Sequence, residues 1–424
     1  MSHKCGSVAV LLGLMVTAAL YGQKKADFSR NADFSRFVVA GDSLSAGYQN
    51  SQLIKSGQEH GYANVIATQA GVSLKLPLLP PPGYPQIAPI VPPSYAVVIG
   101  LDQTPFDALL NKPQTLDFAV PGFTVAALVG LAPFCNPDPL NAIEVMAAKI
   151  LNPTCSTSPQ TELAEAAAKK PTTAILWIGS NDALFSLLFN NTPPTDILTF
   201  FREYDLAAKT MAHASGRLVV ANIPDVTRTA YLTSVPKLAA ILGQSVLGVE
   251  VAFDLQPDDM VTPYAFAAIQ DMGNSPTYLP NSGLQGPIVI RAATLRQLRA
   301  TVIVYNVVIA IEAAVNGATL VDIYSLVNDL AANGAVVGGR TLTTDFMGGL
   351  FSLDGVHPTN TGYAIIANEF IKTMNRSLRT NIPYVSVAQV SQTDPLIFPE
   401  SDPGKHAGHV SVGMADGLRS LGRR

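Results

Sequence analysis

One serine, one histidine and one aspartate stand in this chain where each can take a share of a single reaction. Ser43 sits in Gly41-Asp42-Ser43-Leu44, directly after the apolar run Phe37-Val-Val-Ala40. A glycine there permits a sharp turn, and the small polar residues behind it can start a helix, so the hydroxyl is displayed beside free backbone amides. A hydroxyl is a poor nucleophile at neutral pH and needs an imidazole to take its proton and a carboxylate to orient that imidazole. Asp354-Gly355-Val356-His357-Pro358-Thr359, ahead of a long apolar-periodic run, supplies both on one short segment. Two more segments offer donors for an oxyanion: Pro121-Gly122-Phe123 with its backbone amide, and Gly179-Ser180-Asn181-Asp182 with a side-chain amide. With the Ser43 amide they make three candidate donors, each worth about 3 kcal/mol when aimed at developing charge. Taken singly, each segment has a plain reading too. Asp42 or Ser43 caps a helix, His357-Pro358 opens one, Asn181 and Asp182 cap another, and Gly122 is a turn glycine.

The elements that must position these residues are legible. Strand-like runs cover 37–40, 116–120, 173–178, 217–222 and 319–323, with helical stretches between them. Helices are clearest over 197–214, 292–315 and 361–378, where apolar residues recur every three or four positions. This alternation predicts a parallel sheet covered by helices on both faces. In such sheets ligands bind beyond the carboxyl ends of the strands, which is where Ser43, Gly122 and Asn181 fall. Asn222-Ile-Pro224-Asp225, after the fourth run, reads as a turn at the pocket rim.

The four segments in this order resemble the four sequence blocks of the SGNH, or GDSL, hydrolase superfamily, from about residue 37 to about residue 380. The second block departs from the family pattern, reading Val-Pro-Gly-Phe where a freer glycine-rich turn is usual. The resemblance implies an α/β fold: a three-layer α/β/α sandwich on a mostly parallel, flavodoxin-like five-stranded sheet. It also implies Ser43 as nucleophile, His357 as general base and acid, Asp354 as its orienter, and Ser43, Gly122 and Asn181 as the oxyanion hole. It calls for no metal or other cofactor.

Composition agrees with an elaborated globular domain. The 424 residues are 48% hydrophobic and 14% charged, which gives an ample core and argues against disorder. A net charge of −4 leaves no basic patch for nucleic acid. Lys4 precedes an apolar run from Val8 to Leu20 and a polar exit, which reads as a signal peptide over 1–22. Export to a secreted or periplasmic location is therefore expected. After residue 25 no run reads as long and apolar enough to span a bilayer. Removal of the signal removes Cys5, leaving Cys135 and Cys155, which an oxidising compartment would most simply pair.

The expected organisation is a linker over 23–36, a hydrolase domain over 37–385 and a tail over 386–424. The linker repeats Ala-Asp-Phe-Ser-Arg in tandem at Ala26 and Ala32. Insertions stand at about 76–113, 131–160 and 257–287. Their Pro-, Tyr- and Phe-containing segments read equally as walls of an acyl pocket and as arms packed on the sheet edges. The tail, with His406 and His409, reads as mobile or loosely docked. His60 and His213 lack a carboxylate at triad-like spacing and read as structural.

The functional expectation is a serine hydrolase for carboxylic esters, its partner a small-molecule or lipid ester. The apolar insertions favour lipid or other acyl esters over acetylated polysaccharides. An acyltransferase would use the same residues. A non-catalytic binding module is disfavoured because all five chemical positions are filled.

Overall fold

A computed structural model describes residues 32–87, 99–110, 115–133, 135–189, 192–263, 265 and 288–397. The signal region, residues 23–31 of the linker, His406 and His409 lie outside these residues, as do the middle of the first insertion and most of the third.

Four short apolar strands form a parallel sheet: β1 (Phe37–Gly41), β2 (Thr173–Trp177), β3 (Arg217–Ala221) and β4 (Thr319–Val321), in that spatial order. Near-continuous burial matches their Val, Ile and Leu content, as expected for strands covered on both faces. The fifth predicted strand departs from expectation. Residues 116–120 run beside β1 with one bridge, Val39 to Asp117, and three backbone bonds. Pro121 and the left-handed Gly122 follow at once, so this segment adds no regular ladder.

The helices that matter for the site are α1 (Ser43–Ala46), α2 (Tyr62–Gln69), α3 (Val125–Gly130), α4 (Glu162–Ala168), α5 (Ser180–Leu188), α6 (Ile197–Ala214), α7 (Ala292–Val315), α8 (Ile323–Asn333), α9 (Asn360–Ser377) and α10 (Val387–Thr393). Side chains alternate across the sheet. Val38, Ala40, Leu176 and Val220 face a core completed by Phe200 and Tyr204 of α6 and Val302 and Tyr305 of α7. Val39, Ile175, Trp177 and Val219 face a second core completed by Tyr62 and Ile66 of α2 and Phe370 and Ile371 of α9. The predicted helices 197–214 and 292–315 form with those bounds, and 361–378 forms one residue earlier.

One expectation is corrected: α7, 24 residues long with an 18-residue stretch of mean hydropathy 1.8, is long and apolar enough to cross a membrane. Its composition serves the fold, since Leu295, Leu298, Val302, Tyr305 and Ile309 enter the core beside α6. Cys135 and Cys155 are joined in a disulfide. The described part of the expected tail docks: α10 packs against α9, and the buried Asp394 accepts from the Thr361 amide and hydroxyl, both at 2.7 Å.

Candidate active site

β1 ends at Gly41, where a Cβ would stand 2.2 Å from the Trp177 carbonyl and 2.6 Å from Ser45 Oγ, so the turn admits no side chain. Asp42 caps α1 by accepting from the Leu44 amide at 3.0 Å. Ser43 is therefore the first helical residue, and its own amide has no intrahelical carbonyl to bond. The hydroxyl meets His357: Ser43 Oγ lies 2.7 Å from Nε2, across 314 positions of sequence. His357 Nδ1 lies 2.8 Å from Asp354 Oδ2. All three side chains are buried.

Asp354 accepts three backbone amides: Val356 at 2.9 Å and His357 at 2.8 Å on Oδ1, and Ser51 at 2.8 Å on Oδ2. Burial opposes its charge, but the His357 charge and hydrogen bonds outweigh burial and hold the carboxyl below its ordinary range. Gly355 has φ +74°, and a Cβ on it would strike the Tyr231 backbone at 2.8 Å, which explains the glycine between Asp354 and His357.

Sequence reasoning missed the clasp that unites the Ser43 and His357 segments. Asn50 and Ser51 both have positive φ, +51° and +58°. There the Asn50 side chain accepts from the Leu353 amide at 2.9 Å, while its own amide donates to Ser352 Oγ at 3.1 Å. The Gln49 amide donates to the Pro358 carbonyl at 3.1 Å and to Asn360 Oδ1 at 2.9 Å. Tyr48 lays its ring 4.8 Å from the His357 ring. Nothing in Gln49-Asn50-Ser51 marks it in sequence beyond the tolerance of Asn for left-handed backbone.

The two remaining predicted residues are tied together. Asn181, on the first turn of α5, donates through Nδ2 to the Phe123 carbonyl at 2.8 Å, which leaves its second amide hydrogen free of that bond. Gly122 has φ +87°, and a Cβ there would stand 2.5 Å from Ile143 Cδ1. Asp182 joins the same loops, accepting from the Val125 amide at 3.0 Å and from Thr195 Oγ1 at 2.8 Å. Burial, only partly offset by those bonds, pushes its carboxyl up to about 6.

Ser43, Asn181 and His357 line a cleft whose other walls are mostly apolar: Trp177 and Leu184, Pro224 and Val226, Ile323, Val327 and Leu330 of α8, and Leu350, Val356 and Ile366. The Asn222 turn does reach this rim. Asn222 donates to Asp322 at 2.8 Å and accepts from the Tyr324 amide at 2.8 Å, fastening the end of β3 to the start of α8. Among the described residues, none of the three insertions lines the cleft. Described parts of the first two insertions instead meet each other at a separate cavity lined by Pro77, Leu109, Phe118, Ile150 and Leu151, on the 116–120 side of the sheet.

No group of three or more His, Cys, Asp or Glu that could hold a metal ion occurs among the described residues.

A nucleophile turn at the end of a first strand, joined to an Asp-x-x-His segment near the end of the fold, defines a class of α/β hydrolytic enzymes. The chain belongs to the GDSL-like lipase/acylhydrolase family, whose sequence profile matches residues 37–370. Among solved structures it is similar to LAE5, described as an alpha/beta hydrolase enzyme from the metagenome of Lake Arreo, Spain. The identity is 12% and the TM-score 0.37, over 82% of this chain and 97% of that one. No curated protein matches.

Proposed function

We propose that this protein is an exported carboxylic ester hydrolase of the lipase/esterase type, working through an acyl-enzyme on Ser43. The observation that carries the reading is the continuous chain from Asp354 through His357 to Ser43 Oγ, placed at the wall of an apolar cleft. His357 takes the hydroxyl proton at Nε2 as Ser43 Oγ attacks the ester carbonyl. Asp354, held anionic by its three amides, keeps the Nδ1 proton in place and stabilises the imidazolium. The oxyanion meets the Ser43 amide, the Gly122 amide and Asn181 Nδ2. Collapse expels the alcohol, protonated by His357, and a water activated by the same imidazole releases the acid.

Counting residues 116–120 as an irregular edge strand gives the strand order 2-1-3-4-5 of flavodoxin-like sheets. Ser43 then sits at the switch point, where ligands bind in such folds. The apolar walls favour an acyl chain over an acetyl group, because a short acyl would leave most of that surface unfilled. Export is supported by the basic-apolar amino terminus and by the Cys135–Cys155 bond, which suits an oxidising compartment.

The test is p-nitrophenol release from p-nitrophenyl esters of increasing acyl length, with Ser43→Ala in parallel. Turnover peaking beyond acetate in the wild type and absent in the variant is expected. Undiminished turnover in Ser43→Ala would overturn the mechanism.

A further inference from the structure

Directly beneath the nucleophile turn lies a carboxyl group that the proposed reaction does not use. Glu162, the first residue of α4, is fully buried, and its Oε1 accepts from the Gly41 amide at 2.6 Å across 121 positions of sequence. Gly41 is the last residue of β1, two positions before Ser43, and its carbonyl accepts the Val120 amide at 3.2 Å. Its amide is thus held by a side chain reaching in from a helix. Two more buried acids stand close by: Asp42, whose Oδ1 caps α1, and Asp117, whose Oδ1 accepts from the Ala119 amide at 3.1 Å. Glu162 Oε2 and Asp42 Oδ2 have no hydrogen-bond partner.

Cations on the surrounding elements are engaged elsewhere. Lys169, which caps the carboxyl end of α4, pairs with Glu165, and Lys209 and Arg202 of α6 pair with Asp205 and Glu203. A buried carboxylate with no cation and two acids beside it is costly, and a neutral acid is not. Burial, opposed by the Gly41 bond and reinforced by Asp117 and Asp42, drives the Glu162 carboxyl well above its ordinary range.

From this geometry we propose that Glu162 is a positioning residue for the nucleophile: as a neutral acid it anchors the Gly41 amide and so sets where Ser43 Oγ stands relative to His357. The proposal rests on the reading of Ser43 as nucleophile. It requires a hydrogen-bond acceptor at position 162 and no charge. Glu162→Gln keeps the acceptor and the shape of the protonated acid, whereas Glu162→Met keeps the volume and discards the acceptor. A displaced nucleophile costs turnover more than ground-state binding, since misplacement by about 1 Å can cost up to about 10²-fold.

The experiment measures kcat and KM on the best p-nitrophenyl ester, and the rate at which a fluorophosphonate labels Ser43, for wild type, Glu162→Gln, Glu162→Met and Ser43→Ala. Glu162→Gln should stay within about 3-fold of wild-type kcat, and Glu162→Met should lose about 10-fold or more at nearly unchanged KM, with labelling slowed in step. Should Glu162→Met fail to fold, Glu162→Asp, which withdraws the acid by one methylene, must show the same kcat loss. Wild-type kcat and labelling in the acceptor-free or shortened variant overturns the proposal, as does Glu162→Gln falling as far as Glu162→Met. Ser43→Ala separates the two levels: if it still turns over, the nucleophile reading fails, and if it is dead while Glu162→Met is unimpaired, only the role of Glu162 fails.

Discussion

At the scale of single residues, the site is a set of side chains fixed by hydrogen bonds, Asp354 and His357 by more than one partner each. Asn181 illustrates the consequence: one amide hydrogen is committed to the Phe123 carbonyl, which orients the side chain so that, on the proposed mechanism, its other hydrogen serves the oxyanion. Asn181→Ala should therefore lower kcat by about 10²-fold, with KM little changed, in steady-state ester hydrolysis. An equal fall in kcat and rise in KM would assign the residue to substrate binding instead. The side chains that meet at the candidate site were legible in sequence because Gly-Asp-Ser, Gly-x-Asn-Asp and Asp-x-x-His-Pro place scarce chemical types at strand and helix ends. Their supports were not. Glu162 reads as an ordinary first-turn acid of a helix, and only tertiary packing brings its carboxyl to Gly41. Ser51 contributes a backbone amide to Asp354, for which no residue type is diagnostic.

At the scale of elements, helix bounds were readable from periodicity, whereas the cleft walls were not. Pro- and Tyr-rich insertions attract notice in a sequence, yet among the described residues the cleft beside Ser43 is lined by α8 and the segment between residues 344 and 366. The apolar residues of α8 recur at three- and four-residue spacing like those of any packed helix, and periodicity does not say whether such a face meets protein or substrate. Leu330 is one of them, half-buried and lining the cleft. Leu330→Trp should shift the preferred acyl length downward in the p-nitrophenyl ester series while leaving the shortest esters nearly unaffected. An unaltered length profile would mean that the acyl chain lies elsewhere. The fifth predicted strand pairs only loosely for a related reason: a largely apolar run suits an edge position, but Pro121 and the left-handed Gly122 turn the chain before a regular ladder extends.

At the scale of the whole molecule, buried carboxyls govern the response to pH. Burial lifts Asp182 to about 6, Asp42 to about 7 and Asp117 to about 8. Each keeps in the folded state a proton that the unfolded chain releases near pH 4, so folding stability falls as pH rises from there through those values. Asp354 acts the other way: its carboxyl is held low, and its contribution is present above the ordinary aspartate range and lost in stronger acid. The melting temperature should be highest in mild acid, near pH 4 to 5, and decline toward pH 8, as measured by thermal unfolding in a series of buffers. A melting temperature that climbs steadily to pH 8 would show that these acids are charged in the folded protein. The span of 314 positions between Ser43 and His357 carries a temporal meaning as well. A chain made from its amino end displays Ser43 first and brings His357 to it only when nearly the whole fold has emerged. On the proposed mechanism, every shorter product of synthesis or proteolysis that stops before His357 lacks the base, so reactivity would be switched on only by the last stage of assembly and an unfinished molecule would not attack esters around it.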